Sequence, residues 1–167
     1  MKNLLLAVIL LPLFSYSQEL KRNEVDKYTK SYIKETTWEP LSIPFTRALR
    51  QRIKSINENN YIELRITLHS AFRVDEGDKV YFLFDNDESI SLECVRGGVA
   101  DYNYSTSSSF WWGDYLYKLS PEIITAIKKH LLTGVRIGMG SEYITFDKVK
   151  EKNAVKLRRA IQLIGED

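Results

Sequence analysis

Cys94 is the only cysteine in this chain, so no intramolecular disulfide can staple the fold, and stability has to come from a hydrophobic core. Histidine is nearly as scarce. His69 and His130 have no partner at ligand spacing and no H-E-x-x-H run, so the common zinc templates find no match. An excess of either charge is missing too: Lys and Arg total 24 against 22 Asp and Glu. A chain so close to neutral lacks the positive field that binding of nucleic-acid phosphates requires. No repeat and no low-complexity linker divides the chain, and long apolar runs are absent beyond the first few residues.

That first run, Leu4 to Phe14, is interrupted only by Pro12. It follows a short start with one cation, Lys2, and precedes Ser15-Tyr16-Ser17, which puts small residues where a signal peptidase reads. Residues 1–17 therefore read as a secretory signal, with Gln18 opening the exported chain. A spanning helix takes about twenty apolar residues, so the run is too short for an anchor. No cysteine stands at the cleavage site to carry a lipid. The expected product is exported to the periplasm or beyond the cell, and is soluble there. Removing Lys2 leaves 23 basic against 22 acidic residues, and the remaining length suits one domain with a real core.

A polar lead-in over 18–30 precedes the expected domain at 31–167. Tyr32 to Leu41 reads as a first strand, stopped by Pro40 and Pro44. Phe45 to Ile56 fits either a helical stripe or a strand, and the turn composition at 57–60 favours a strand in a hairpin. Tyr61 to His69 alternates, with Ile62, Leu64, Ile66 and Leu68 on one face. Val80–Phe84 and Ser89–Val95 flank the link Asp85-Asn86-Asp87-Glu88, a hairpin pattern. Ile90, Leu92 and Cys94 share a face, which makes Cys94 a buried thiol. After a strand at Leu116–Leu119, Ser120 and Pro121 open a helix, with Gly134 just beyond it. Val135–Met139 and Tyr143–Phe146 form a hairpin around Gly140-Ser141. A closing helix carries the stripe Ala154, Leu157, Ile161 and Ile164, with Asp147 as its N-cap and Gly165 at its end. The fold class is α+β: a mostly antiparallel sheet of about six to eight strands, with two helices on its apolar face.

The stretch Leu132-Thr-Gly-Val-Arg-Ile-Gly-Met-Gly-Ser-Glu-Tyr-Ile-Thr-Phe-Asp and the Lys-rich helix from Lys150 resemble a group of small exported Bacteroidetes proteins. The signal ending Ser15-Tyr-Ser-Gln is similar to theirs as well. The resemblance covers mainly the C-terminal third and implies an exported single-domain protein; it implies no activity. Many of those relatives carry a Gly-Cys-Gly-like element where this chain has Arg96-Gly97-Gly98, so a cysteine-dependent role there does not carry over.

Templates for chemistry find little to hold. The acidic hairpin tip at Asp85 lacks the glycine and the closing glutamate of an EF-hand loop: those positions are Ile90 and Arg96. No serine sits in a G-x-S-x-G elbow, and Gly138-Met139-Gly140 lacks the third glycine and following helix of a phosphate cradle. The basic residues Lys148, Lys150, Lys152, Lys156, Arg158 and Arg159 form a solvated helix face, or a surface for an anionic lipid or lipopolysaccharide. No metal or other cofactor is implied.

One segment stands apart. Asp101 to Tyr117 packs seven aromatic residues among Ser, Asn and Asp, a mix that offers rings to stack on and short polar groups to orient a flat polar ligand. Tyr102, Tyr104, Trp111, Trp112, Asp114 and Tyr115 are the expected ligand-binding residues, with a glycan or an envelope protein as partner. The plainer alternative puts Tyr102 and Tyr104 on a strand, with Trp111, Trp112 and Tyr115 capping the core. Three functions stay open: a non-catalytic binding module, a small hydrolase using Cys94 or scattered carboxylates, and an inhibitor or immunity-type protein.

Overall fold

Apolar and polar residues alternate along most of the chain, and the alternation builds one large antiparallel sheet. The computed structural model describes residues 19–44, 46–104 and 109–165; the expected signal segment and the serine-rich stretch 105–108 lie outside the described residues. Strands β1 (Leu20–Val25), β2 (Tyr32–Thr36), β3 (Glu39–Ser42), β4 (Ala48–Ile56) and β5 (Asn59–Leu68) come first. Then follow β6 (Arg73–Val74), β7 (Lys79–Phe84), β8 (Ser89–Arg96), β9 (Gly98–Val99), β10 (Asp101–Tyr104) and β11 (Ser109–Lys118). Helix α1 (Pro121–Lys129), strands β12 (Leu132–Met139) and β13 (Glu142–Phe146), and helix α2 (Glu151–Gly165) complete the order.

The main sheet has 11 strands, in the order β1-β2-β4-β5-β11-β8-β7-β12-β13, with β3 also on β4 and β10 also on β11. The α+β class with two helices stands; the expected six to eight strands were too few. The added strands are the polar edge β1, the short exposed edge β10, and the one gained where the expected strand Tyr32–Leu41 divides into β2 and β3. Strand β1, inside the expected lead-in, is Leu-Lys-Arg-Asn-Glu-Val, and five of its six residues are exposed. Charge of that kind blunts an open edge against further pairing. Strand β10 is exposed throughout.

The expected strand Tyr32–Leu41 is broken in two along one edge of β4. Glu35 lies opposite Lys54 and Glu39 opposite Gln51, so four steps on one chain span three on the other. That is a bulge, which bends its strand and re-aims a side chain. Thr36 mends the ladder there, its Oγ1 accepting from the Ile53 N–H at 2.9 Å, and Trp38 is swung onto the sheet's outer face. A second bulge leaves Val95 unpaired between Cys94 and Arg96. It keeps Cys94 in the core while Arg96 turns outward.

Helix α2 touches β2, β3 and β4 and also β12, strands far apart in the sheet order. The sheet therefore curls around this helix. Leu157 is fully buried, with Ala154, Ile161 and Ile164 also buried, in one core with Leu49, Ile53, Ile62 and Leu64. A fully buried residue of this size contributes about 1.5–3 kcal/mol. The helix begins at Glu151 and not after Asp147, because Val149 N–H is bonded to Thr133 O at 2.9 Å, which holds that segment extended beside β12. Helix α1 starts at Ser120 as expected, its side chain accepting from Ile123 N–H. It ends at His130, and Gly134 lies inside β12.

Candidate functional site

Neighbouring residues on a strand point to opposite faces, and this divides the expected aromatic site. Because β11 begins at Ser109, Trp111 and Trp112 face different ways. Trp111 pairs with Tyr102 across the β10–β11 ladder, their rings 5.0 Å apart, and Tyr104 beside them is 75% exposed. Trp112 and Asp114 stand on the outer face. Tyr115 is a core residue, 1% exposed and packed on Phe72, and burial pushes its hydroxyl pKa up. The six residues do not share one surface, and Tyr115 points into the core.

On the outer face, Arg65 lies over the rings of both Trp38 and Trp112, at 4.4 and 4.8 Å. It also binds Asp114 through two bonds, Nε to Oδ1 at 2.7 Å and Nη2 to Oδ2 at 2.6 Å. Such a fork fixes both partners, so the Asp114 carboxylate is already occupied. Arg52 lies over Trp38 as well and pairs with Glu35 and Glu63. Glu63 receives Lys54 at 2.8 Å and also Arg96. Trp38 is thus built into a rigid ion network, a role that no pattern along the chain signals.

Cys94 is buried, and burial raises its thiol pKa to about 11. A thiol so far above neutrality holds almost no thiolate, the form that attacks. The thiol is expected to stay unlabelled by Ellman's reagent at pH 8 until denaturant is added. Rapid labelling of the folded protein would reopen the nucleophile reading. Among the described residues, no three His, Cys, Asp or Glu residues group closely enough to hold a metal ion. His130 Nδ1 lies 3.3 Å from Asp85.

A hollow of about 650 Å³ lies elsewhere: a groove on the outer face of β7, β12 and β13. Register explains it. Val80, Phe82 and Phe84 turn to the core, which puts Tyr81 and Leu83 outward. Pairing then sets Tyr81 beside Arg136, and Arg136 beside Thr145. Tyr143 sits one row along, its ring 6.3 Å from that of Tyr81 and edge-on to it. Arg136 donates from Nε to Thr145 Oγ1 at 3.1 Å, which leaves its two terminal amino groups for other acceptors. Ser89 and Asp147 complete the polar lining.

Gly134 forms part of the groove's lining. A Cβ there would meet nothing nearer than 3.6 Å, and the residue is not among those with positive φ. The backbone does not need glycine at this position, and an added Cβ would project into the groove. Sequence reading missed the site because Tyr81 and Tyr143 meet only through the strand between them. Compared with protein-family models, with curated proteins and with solved structures, the chain matches none.

Proposed function

We propose that the protein is an exported, non-catalytic binding module, and that it holds a saccharide in the groove over β7, β12 and β13. The observation that carries this is one arrangement: two tyrosine rings, edge-on to each other, line the same groove as Arg136, whose terminal amino groups are free of any carboxylate among the described residues. Sugar rings stack on aromatic faces, and hydroxyls pair with a few placed polar groups. Arg136, Thr145, Ser89 and Asp147 are groups of that kind. Glycoside cleavage by paired carboxylates takes two acids about 5 to 9.5 Å apart, and the groove's lining offers Asp147 alone. Export rests on the three-part order of residues 1–17. Among the described residues no helix is long and apolar enough to cross a membrane.

The test is an amide-resolved NMR titration with a panel of neutral and acidic oligosaccharides. Shifts should cluster at 81–83, 134–136 and 143–147, and Tyr81→Ala with Tyr143→Ala should abolish them. Shifts confined to Tyr102, Tyr104 and Trp111 would move the site to the β10–β11 hairpin. No shift with any member would end the saccharide reading.

A further inference from the structure

A second hollow, of about 400 Å³, opens between β3, the β3–β4 connection and the segment leading into α2. We propose that it binds a phosphate group. Four cations line it, Arg47, Lys148, Lys150 and Lys152, against a single acid, Asp147. Lys148, Lys150 and Lys152 lie close together on the segment entering α2, and the fold brings Arg47 from the β3–β4 connection to them. Among the described residues none of the four has a carboxylate within ion-pair distance. Arg52, Arg65 and Arg96 on the outer face each pair with at least one.

The walls are built. Ser42 Oγ donates to Lys148 O at 2.9 Å, and the buried Asn153 side chain donates to Leu41 O at 3.0 Å. The Arg47 guanidinium rests 5.1 Å from the centre of the Phe146 ring, which restrains it beside the hollow. Like charges gathered around one concave surface repel each other and focus a positive potential into it. A phosphate relieves that repulsion best. It carries about −1.5 to −2 charges at neutral pH, on three acceptor oxygens that several cations can share. A carboxylate offers one charge and two oxygens. The phosphate can belong to a soluble phosphoester or to a lipid headgroup, since the hollow reads the same chemistry in both.

The site stands apart from the saccharide groove, though Asp147 borders both, and failure of either leaves the other intact. The experiment is an amide-resolved titration with inorganic phosphate and with glycerol 3-phosphate at fixed ionic strength. A parallel arm uses sedimentation with phosphatidylcholine vesicles, with and without phosphatidic acid. Saturable shifts are expected at 42–47 and 147–153. Replacing Lys148, Lys150 and Lys152 together by Gln should weaken binding about tenfold or more, while Lys128→Gln with Lys129→Gln on α1 should leave it unchanged. Asp147→Asn should tighten it. Binding of the soluble probes, lost in the triple variant, supports a phosphoester; binding of acidic vesicles alone, lost in the same variant, supports a headgroup. Blank results in both arms, or binding that survives in the triple variant, overturn the proposal.

Discussion

Replacing Glu63 by glutamine is expected to destabilise the protein by about 3 kcal/mol, near the lower end for breaking a buried ion pair. The Glu63 side chain is 2% exposed and receives Arg52, Lys54 and Arg96. Glutamine keeps the shape and removes the charge, which leaves Arg52 and Lys54, only 13% and 14% exposed, to share Glu35 alone. Burial by itself would raise the Glu63 pKa. Hydrogen bonds from Lys54 and Arg52 outweigh burial and hold it below the ordinary value of 4.5. A group depressed in the folded state stabilises above its unfolded pKa, and that stability is lost as pH falls through the folded pKa. The wild-type protein should therefore lose stability as pH drops below about 4.5, and Glu63→Gln should lose less over the same window. Urea midpoints at constant m, read across pH, check both statements. Equal acid limbs in the two proteins would contradict the network.

Gly113→Ala is expected to have the next largest effect, about 1–3 kcal/mol, the usual range for overpacking a core. Gly113 faces the core from β11, and the ring of Tyr115 folds back over it. An added Cβ would lie 2.6 Å from the Tyr115 Cζ. Tyr115 is 1% exposed and held by its neighbours, so the ring has nowhere cheap to go. The loss should appear as a lower urea midpoint together with a changed near-ultraviolet tyrosine signal. An unchanged midpoint would mean that the ring does not sit there.

Tyr115 also marks where sequence reading stops. The strands that carry one buried face, such as β5 with Ile62, Leu64, Ile66 and Leu68, were legible because burial on one side imposes a period of two. The caps of α1 and the stripe of α2 were legible for similar local reasons. Strand β1 was not, since an edge strand can pair through its backbone with polar side chains throughout, and β10 was legible only as the alternative that put Tyr102 and Tyr104 on a strand. Extending β11 only from Leu116 hid its first seven residues, and with them the opposition of Trp111 and Trp112. Bulges decide where Trp38 and Arg96 point, and a bulge depends on the register of a distant partner strand. The groove depends on that register too. Gly134 read as punctuation after a helix, whereas it sits within β12 and helps to line the groove.

That glycine offers the most direct measurement. Within a strand, glycine is about 0.5–1 kcal/mol less stable than alanine, and position 134 has room for the extra carbon. A glycine kept there for binding should show opposed effects on replacement. For Gly134→Ala, the urea midpoint should rise while saccharide affinity in the groove falls. A higher midpoint with undiminished saccharide binding, or a lower midpoint with binding unchanged, would contradict the assignment of the groove as the ligand site.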